Sequence, residues 1–242
     1  MADTSIPRRG FLKGAGIAGA GVAATLSGSP SQAQQPAGPG TATKSASNTP
    51  SNEPFLALKA TEAAFLGAVV DTLIPADKLS PSGSDCGLVT FMDRQLAGAW
   101  GNGARLYRSG PFVQGKPEQG YQLPLTPREF FAAGIKAANG YAQRTFGKEF
   151  DRLSGADREA ALKAMESGQA PFEIMNSKMF FEALYTLAME GFFSDPIHGG
   201  NRDKASWRMI GYPGLPATYA RTAEQYRGKK VTIEPQSIAD FI

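Results

Sequence analysis

The 242-residue sequence predicts an all-α fold, a single helical domain with long ordered loops behind an export leader. Three observations carry that expectation. Apolar residues recur at helical spacing in five separate stretches. Several of those stretches open on a capping residue and close on glycine or proline. No alternating β-branched run appears before residues 230–234.

The first helix is expected from Thr61, read as its cap, with Glu62 in the positive first turn. Phe65, Leu66, Val69, Val70 and Leu73 form its apolar stripe, and Pro75 ends it. A Pro/Ser/Gly loop follows, and Asp85 is the expected cap of a second helix carrying Leu88, Phe91, Met92 and Leu96. Residues 98–125 are rich in glycine and proline and hold Trp100, Tyr107, Phe112 and Tyr121, which predicts an ordered irregular excursion. Thr126-Pro127-Arg128-Glu129 is a strong helix start, since Thr126 caps, Pro127 suits the first turn and Glu129 can close a capping box. Phe131, Ile135, Ala138 and Ala142 make its inward stripe. Ser154 opens a helix over 156–166 that Gly168 closes. The longest helix is expected over 172–190, with Met175, Met179, Ala183, Leu184 and Leu187 inward.

Ahead of this domain lies an address. Arg8 and Arg9, followed by Phe11-Leu12-Lys13, precede a weakly apolar run of about a dozen residues and a small-residue exit, the layout of a secretory signal. The paired arginines resemble the recognition motif of the twin-arginine export route. Glycines 14, 16, 19 and 21 would weaken an ordinary buried helix here by about 1 kcal/mol each. The run is also shorter than the roughly 20 residues of a bilayer span. Cleavage is expected after Ala33, giving a signal peptide over 1–33, a flexible leader over 34–54 and the helical domain over 55–242. Gly14-x-Gly16-x-x-Gly19 imitates a dinucleotide fingerprint, but no strand precedes it and no Asp or Glu stands between Asp3 and Glu53. It is rejected as a nucleotide site.

Composition narrows the chemistry further. Without residues 1–33 the formal charge falls from +3 to +1, so nucleic-acid binding has little support. A single cysteine, Cys86, excludes an internal disulfide, a thiolate-held iron–sulfur cluster and a cysteine-rich zinc site. One histidine, His198, cannot build a histidine-rich metal site or a recognisable nucleophile–base pair. No cofactor is therefore expected in this chain. Cys86 is read as a small buried apolar side chain, with a reactive thiol at a helix N-terminus or an intermolecular disulfide as the alternatives.

Phe192-Phe193-Ser194-Asp195-Pro196-Ile197-His198-Gly199-Gly200-Asn201-Arg202-Asp203 follows the last long helix, and Trp207, Ile210 and Gly211-Tyr212-Pro213-Gly214 come after it. Pro196 fixes one dihedral while the paired glycines permit positive φ, so the chain can turn tightly. Asp195, Asn201 and Asp203 can bind the exposed amides of such a turn. Two readings of the segment compete: a rigid loop under a Trp/Tyr lid, and a contact site using Asp195, His198, Gly199, Gly200, Asn201, Arg202, Trp207 and Tyr212.

This segment resembles the gluconate 2-dehydrogenase subunit 3 family, as do Asp71-Thr72-Leu73-Ile74-Pro75, Phe91-Met92-Asp93 and Leu125-Thr126-Pro127-Arg128-Glu129. The likeness runs from about Ala60 to Gly214, and the leader fits it. The resemblance implies a small subunit of a periplasmic sugar or sugar-acid dehydrogenase. It also implies a large glucose–methanol–choline-type flavoprotein partner that binds FAD, lacks a signal and travels with this chain through the twin-arginine translocase. A cytochrome c subunit with haem c would be a third member, and the complex would tie the chain to the membrane. The resemblance brings no catalytic residue with it. The alternative is a self-sufficient exported binding protein or enzyme using the region 195–207.

Overall fold

The computed structural model describes residues 54–242, apart from 114, 117, 118, 216, 217, 219 and 221. The signal and leader assignments, including Arg8, Arg9, Phe11, Leu12 and Lys13, lie outside the described residues. Among the described residues the regular elements are all helices, and the one β-type contact is an isolated bridge between Gly214 and Gln236. No described helix is long and apolar enough to cross a membrane.

Helix α1 (Ala60–Leu73) is the central element. Ala63, Phe65, Leu66, Ala68, Val69 and Val70 are all buried, so more than one face is covered. It packs against α2 (Leu88–Ala97), α3 (Pro127–Phe146), α4 (Gly155–Glu166) and the 3-10 turn Phe150–Arg152. Helix α5 (Ser177–Phe193) lies against α2, α3 and α4. Phe65 meets Phe150 at 5.0 Å, while Phe130, Phe131 and Phe180 form a ring cluster between α3 and α5 with centroids 5.9–6.2 Å apart. Close approach of these two helices needs Gly134, where a Cβ would stand 2.1 Å from the Phe180 ring.

The helix starts are a mixture of local and long-range causes. At α3 the expected box forms: the Thr126 N–H and hydroxyl donate to Glu129 Oε2 (2.8 and 2.9 Å), and the Glu129 N–H donates back to Thr126 Oγ1 (3.3 Å). Ser154 likewise caps α4 by accepting from the Asp157 N–H (3.2 Å). Helix α1 begins two residues earlier than the Thr61 cap predicts. Its cap is Lys59, whose N–H donates to Glu62 Oε2 (2.8 Å), half of a capping box that a lysine side chain cannot complete. The start is set by Asp93 of α2, whose buried carboxylate accepts the N–H groups of Leu56, Ala57 and Leu58 at 2.8–2.9 Å.

Asp85 does not cap α2. Gly87 holds that position at φ 82°, while Asp85 accepts from the Ser82 hydroxyl (3.0 Å) in the preceding turn. The longest helix is also displaced from the expected one. Residues 172–176 remain outside α5, because the Asn176 side chain caps it by accepting from the Lys178 N–H (2.8 Å). Helix α5 then runs on through Gly191 to Phe193, and the longest helix among the described residues is α3 with 20 residues. Met179 and Ala183, placed inward by their spacing, are only half-buried. The excursion at 98–125 splits in character: Tyr121 stacks on Phe130 at 4.3 Å, whereas Tyr107 is 82% exposed.

Candidate partner-docking loop

The segment 192–214 leaves α5 at Ser194 and makes three tight features in succession. Asp195 caps a 3-10 turn, Pro196–His198, by accepting from the Ile197 N–H at Oδ1 (3.0 Å). A second 3-10 turn, Arg202–Lys204, follows, and then α6 (Ala205–Ile210). Three non-glycine residues take left-handed backbone here, Asn201 at φ 45°, Asp203 at 57° and Lys204 at 57°. Such positions cost about 1–3 kcal/mol each and persist only where surrounding contacts over-determine them.

Asn201 supplies the internal contacts. It is fully buried; its Nδ2 donates to the Ser194 carbonyl (2.9 Å), and its Oδ1 accepts from the Ser206 N–H (3.0 Å) and hydroxyl (2.8 Å). One side chain thus ties the end of α5 to the start of α6. Trp207 closes the other side, buried to 6% exposure, with its Nε1–H on the Phe193 carbonyl (2.9 Å) and the Tyr212 ring edge-on at 5.1 Å.

The loop is also pinned to the start of α2. The Arg202 N–H donates to the Cys86 carbonyl (3.0 Å), and Arg202 Nη1 donates to the Asp85 carbonyl (2.9 Å). Backbones touch so closely that a Cβ at Gly87 would lie 2.4 Å from the Gly199 carbonyl oxygen. A Cβ at Gly200 would lie 2.3 Å from that of Gly191.

A third support was not visible in the sequence. The C-terminal stretch folds back on the loop: the Leu215 N–H donates to the Gln236 carbonyl (2.8 Å), and the Gln236 N–H donates to that of Pro213 (3.0 Å). The Ile238 N–H then reaches Asp195 Oδ2 (2.9 Å). Lys204 Nζ bridges Asp240 (2.7 Å) and the Pro235 carbonyl (3.0 Å), and Arg208 pairs with Glu234 at 2.6 Å. Ser237 and Asp240 form a capping box at the turn Ile238–Phe241. The Ser-x-x-Asp spacing was the one available signal for that turn, and nothing in the sequence tied it to Asp195.

The predicted site residues therefore separate by direction. Gly200, Asn201 and Trp207 are buried and hold the loop from within. Asp195 is half-buried with both carboxylate oxygens engaged, and Arg202 is half-buried on Asp85, beside a half-buried Gly199. His198 and Tyr212 are exposed, Tyr212 to 46%. Among the described residues no group of three or more His, Cys, Asp or Glu side chains could hold a metal ion.

Cys86 is a free thiol with 1% of its surface exposed. Burial first, and the Asp85 carboxylate second, push its pKa up to about 11. The reactive-thiol alternative is thereby overturned, because the α2 N-terminus does not present the sulfur to solvent. An intermolecular disulfide is excluded in this fold for the same reason of access.

The remaining motifs are scaffold. Asp71 accepts from the Ser84 N–H (2.8 Å) and fixes the turn between α1 and α2. Asp93 anchors the chain entering α1, and Thr126 with Glu129 starts α3. A family model described as gluconate 2-dehydrogenase subunit 3 matches residues 60–214, well over half of the chain, and the chain belongs to that family. No curated protein and no solved structure gives a significant match.

Proposed function

We propose that this chain is the non-catalytic small subunit of a periplasmic FAD-dependent sugar or sugar-acid dehydrogenase. It escorts a signal-less flavoprotein subunit through the twin-arginine route and stabilises it afterwards. The observation that carries the reading is the presence, on one chain, of the family match over 60–214 and the leader Arg8-Arg9-Gly10-Phe11-Leu12-Lys13. In this reading FAD resides in a glucose–methanol–choline-type partner. A cytochrome c subunit carrying haem c takes the electrons onward and holds the assembly at the membrane.

The loop supports the docking part of the reading. Its exposed groups, His198 and Tyr212 with the edges of Asp195 and Arg202, stand on a backbone already fixed from three directions. A surface ordered before binding avoids the entropic cost of ordering it on contact.

The test is to replace Arg8 and Arg9 together by lysine and assay both subunits in periplasmic and cytoplasmic fractions. Retention of both in the cytoplasm is expected. Arrival of the dehydrogenase in the periplasm at wild-type level would overturn the escort function.

A further inference from the structure

A cleft of about 490 Å³ opens where the N-termini of α1 and α3 converge beside the 98–125 excursion, and none of its lining residues belongs to the 192–214 loop. Its floor is apolar: Leu96, Phe131 and Ile135, each at most 2% exposed. Its rim is cationic, built from Lys59, Arg108 and Arg128. Two carboxylates, Glu62 and Glu129, also line it, but both are bound to backbone amides at the helix starts. Among the described residues none of the three cations lies within ion-pair distance of an acidic side chain, although Arg108 is near enough to Glu129 to assist the Thr126 hydrogen bonds in holding its carboxyl below the ordinary value. The Arg128 side chain donates from Nη2 to the Ala57 carbonyl (3.3 Å). Glu62 and Glu129 offset the positive ends of the two helices, so the net positive charge of the cleft rests on its three cations.

The surroundings indicate the size of the occupant. Trp100, 44% exposed, leans edge-on against the floor residue Phe131 at 6.3 Å. Leu106 and Tyr107, 38% and 82% exposed, precede the rim residue Arg108. A small anion in the cleft would leave these side chains in water. A polypeptide laid across it would cover them, and aromatic and arginine side chains are the usual anchors of protein interfaces.

We propose that this cleft is a second docking site for the partner subunit, receiving a segment that carries a carboxylate side chain next to an apolar one. The carboxylate meets the Lys59, Arg108 and Arg128 rim, and the apolar neighbour fills the space above Leu96, Phe131 and Ile135. The proposal rests on the reading of this chain as a subunit. Two separate contact regions on one domain let each remain modest while the pair holds firmly, because the second contact forms within an existing complex.

The test uses the flavin-bearing complex purified from cells that express the full chain with its neighbouring genes. Carbodiimide joins amines to carboxylates without a spacer, so mass spectrometry should find Lys59 coupled to an Asp or Glu of the flavoprotein. In parallel, Arg108→Glu should weaken the complex about tenfold or more and reduce its sensitivity to salt, with Arg108→Gln having the smaller effect. Arg108 lies on an exposed stretch, and an unchanged thermal unfolding curve for each variant confirms its fold. A wild-type complex in which Lys59 couples only within its own chain, or in which Arg108→Glu binds like the parent, overturns the cleft proposal alone. No flavin-bearing complex with the wild-type chain overturns the subunit reading and this proposal together.

Discussion

Truncating Asn201 to alanine would leave the Ser194 carbonyl and the Ser206 N–H without their partner in a fully buried place. It would also keep a left-handed backbone that alanine tolerates less well than asparagine. Each buried group left unsatisfied costs about 1–3 kcal/mol, so Asn201→Ala should destabilise the domain by roughly 2–4 kcal/mol. Urea unfolding followed by circular dichroism measures it, and a loss below about 1 kcal/mol would show that the loop is held by its other supports. The sequence made Asn201 conspicuous but not its direction. It stands in a turn-rich motif beside glycines, where an asparagine facing solvent and one facing inward look alike. Only Ser194 at the end of α5 and the returning Ser206 decide which way the side chain must point, and that is a property of the folded loop.

At the scale of the helix, the α3 start should behave independently of the rest. The Thr126–Glu129 box is completed within four residues and was therefore legible in the sequence. Thr126→Ala should cost about 1 kcal/mol, and Thr126→Ser should recover most of it. Equal loss in both variants would mean that the threonine methyl, rather than the hydroxyl, matters there. The α2 start was not legible for the opposite reason. Asp85 is a good local cap, but Arg202 draws on the carbonyls of Asp85 and Cys86 from far along the chain, and Gly87 must accommodate Gly199. Long-range contacts likewise moved the α1 start, where Asp93 collects three amides that no helical periodicity could have assigned to it. The buried stripes fared better than the ends: Phe131, Ile135, Ala138 and Ala142 are all buried, as their spacing requires.

For the molecule as a whole, the titrating groups set two edges of stability. Asp77, Glu129 and Asp240 have pKa values held below their ordinary 3.8, 4.5 and 3.8. Backbone amides do this at Asp77, and the Thr126 groups do it at Glu129. At Asp240 burial opposes the shift, and the Lys204 and Ser237 hydrogen bonds outweigh it. Carboxylates with depressed native values contribute above their unfolded pKa, and that contribution disappears as pH falls through the native ones. Cys86 works in the other direction. The unfolded thiol ionises near 9.0 and the native one at about 11, so the native state holds the extra proton between them and stability declines as pH rises through that window. Thermal unfolding from pH 2 to 11 should therefore show a plateau between about pH 5 and 9, and Cys86→Ala should reduce the decline between 9 and 11, leaving the part that begins near 10.0 and belongs to Tyr121, whose burial also raises its pKa. The fold class and the core were legible at this scale from periodicity. The cleft was not, since its floor comes from α2 and α3 and its rim from three separate stretches. Finally, the only two tryptophans stand in contrasting surroundings, Trp207 shielded at 6% exposure within the 192–214 loop and Trp100 open at 44% beside the cleft. The polypeptide thus carries its own pair of optical labels, one emitting from a dry setting and one reachable by a dissolved quencher. A companion settling on the cleft would dim the quencher's access to the second while leaving the colour of the first unchanged.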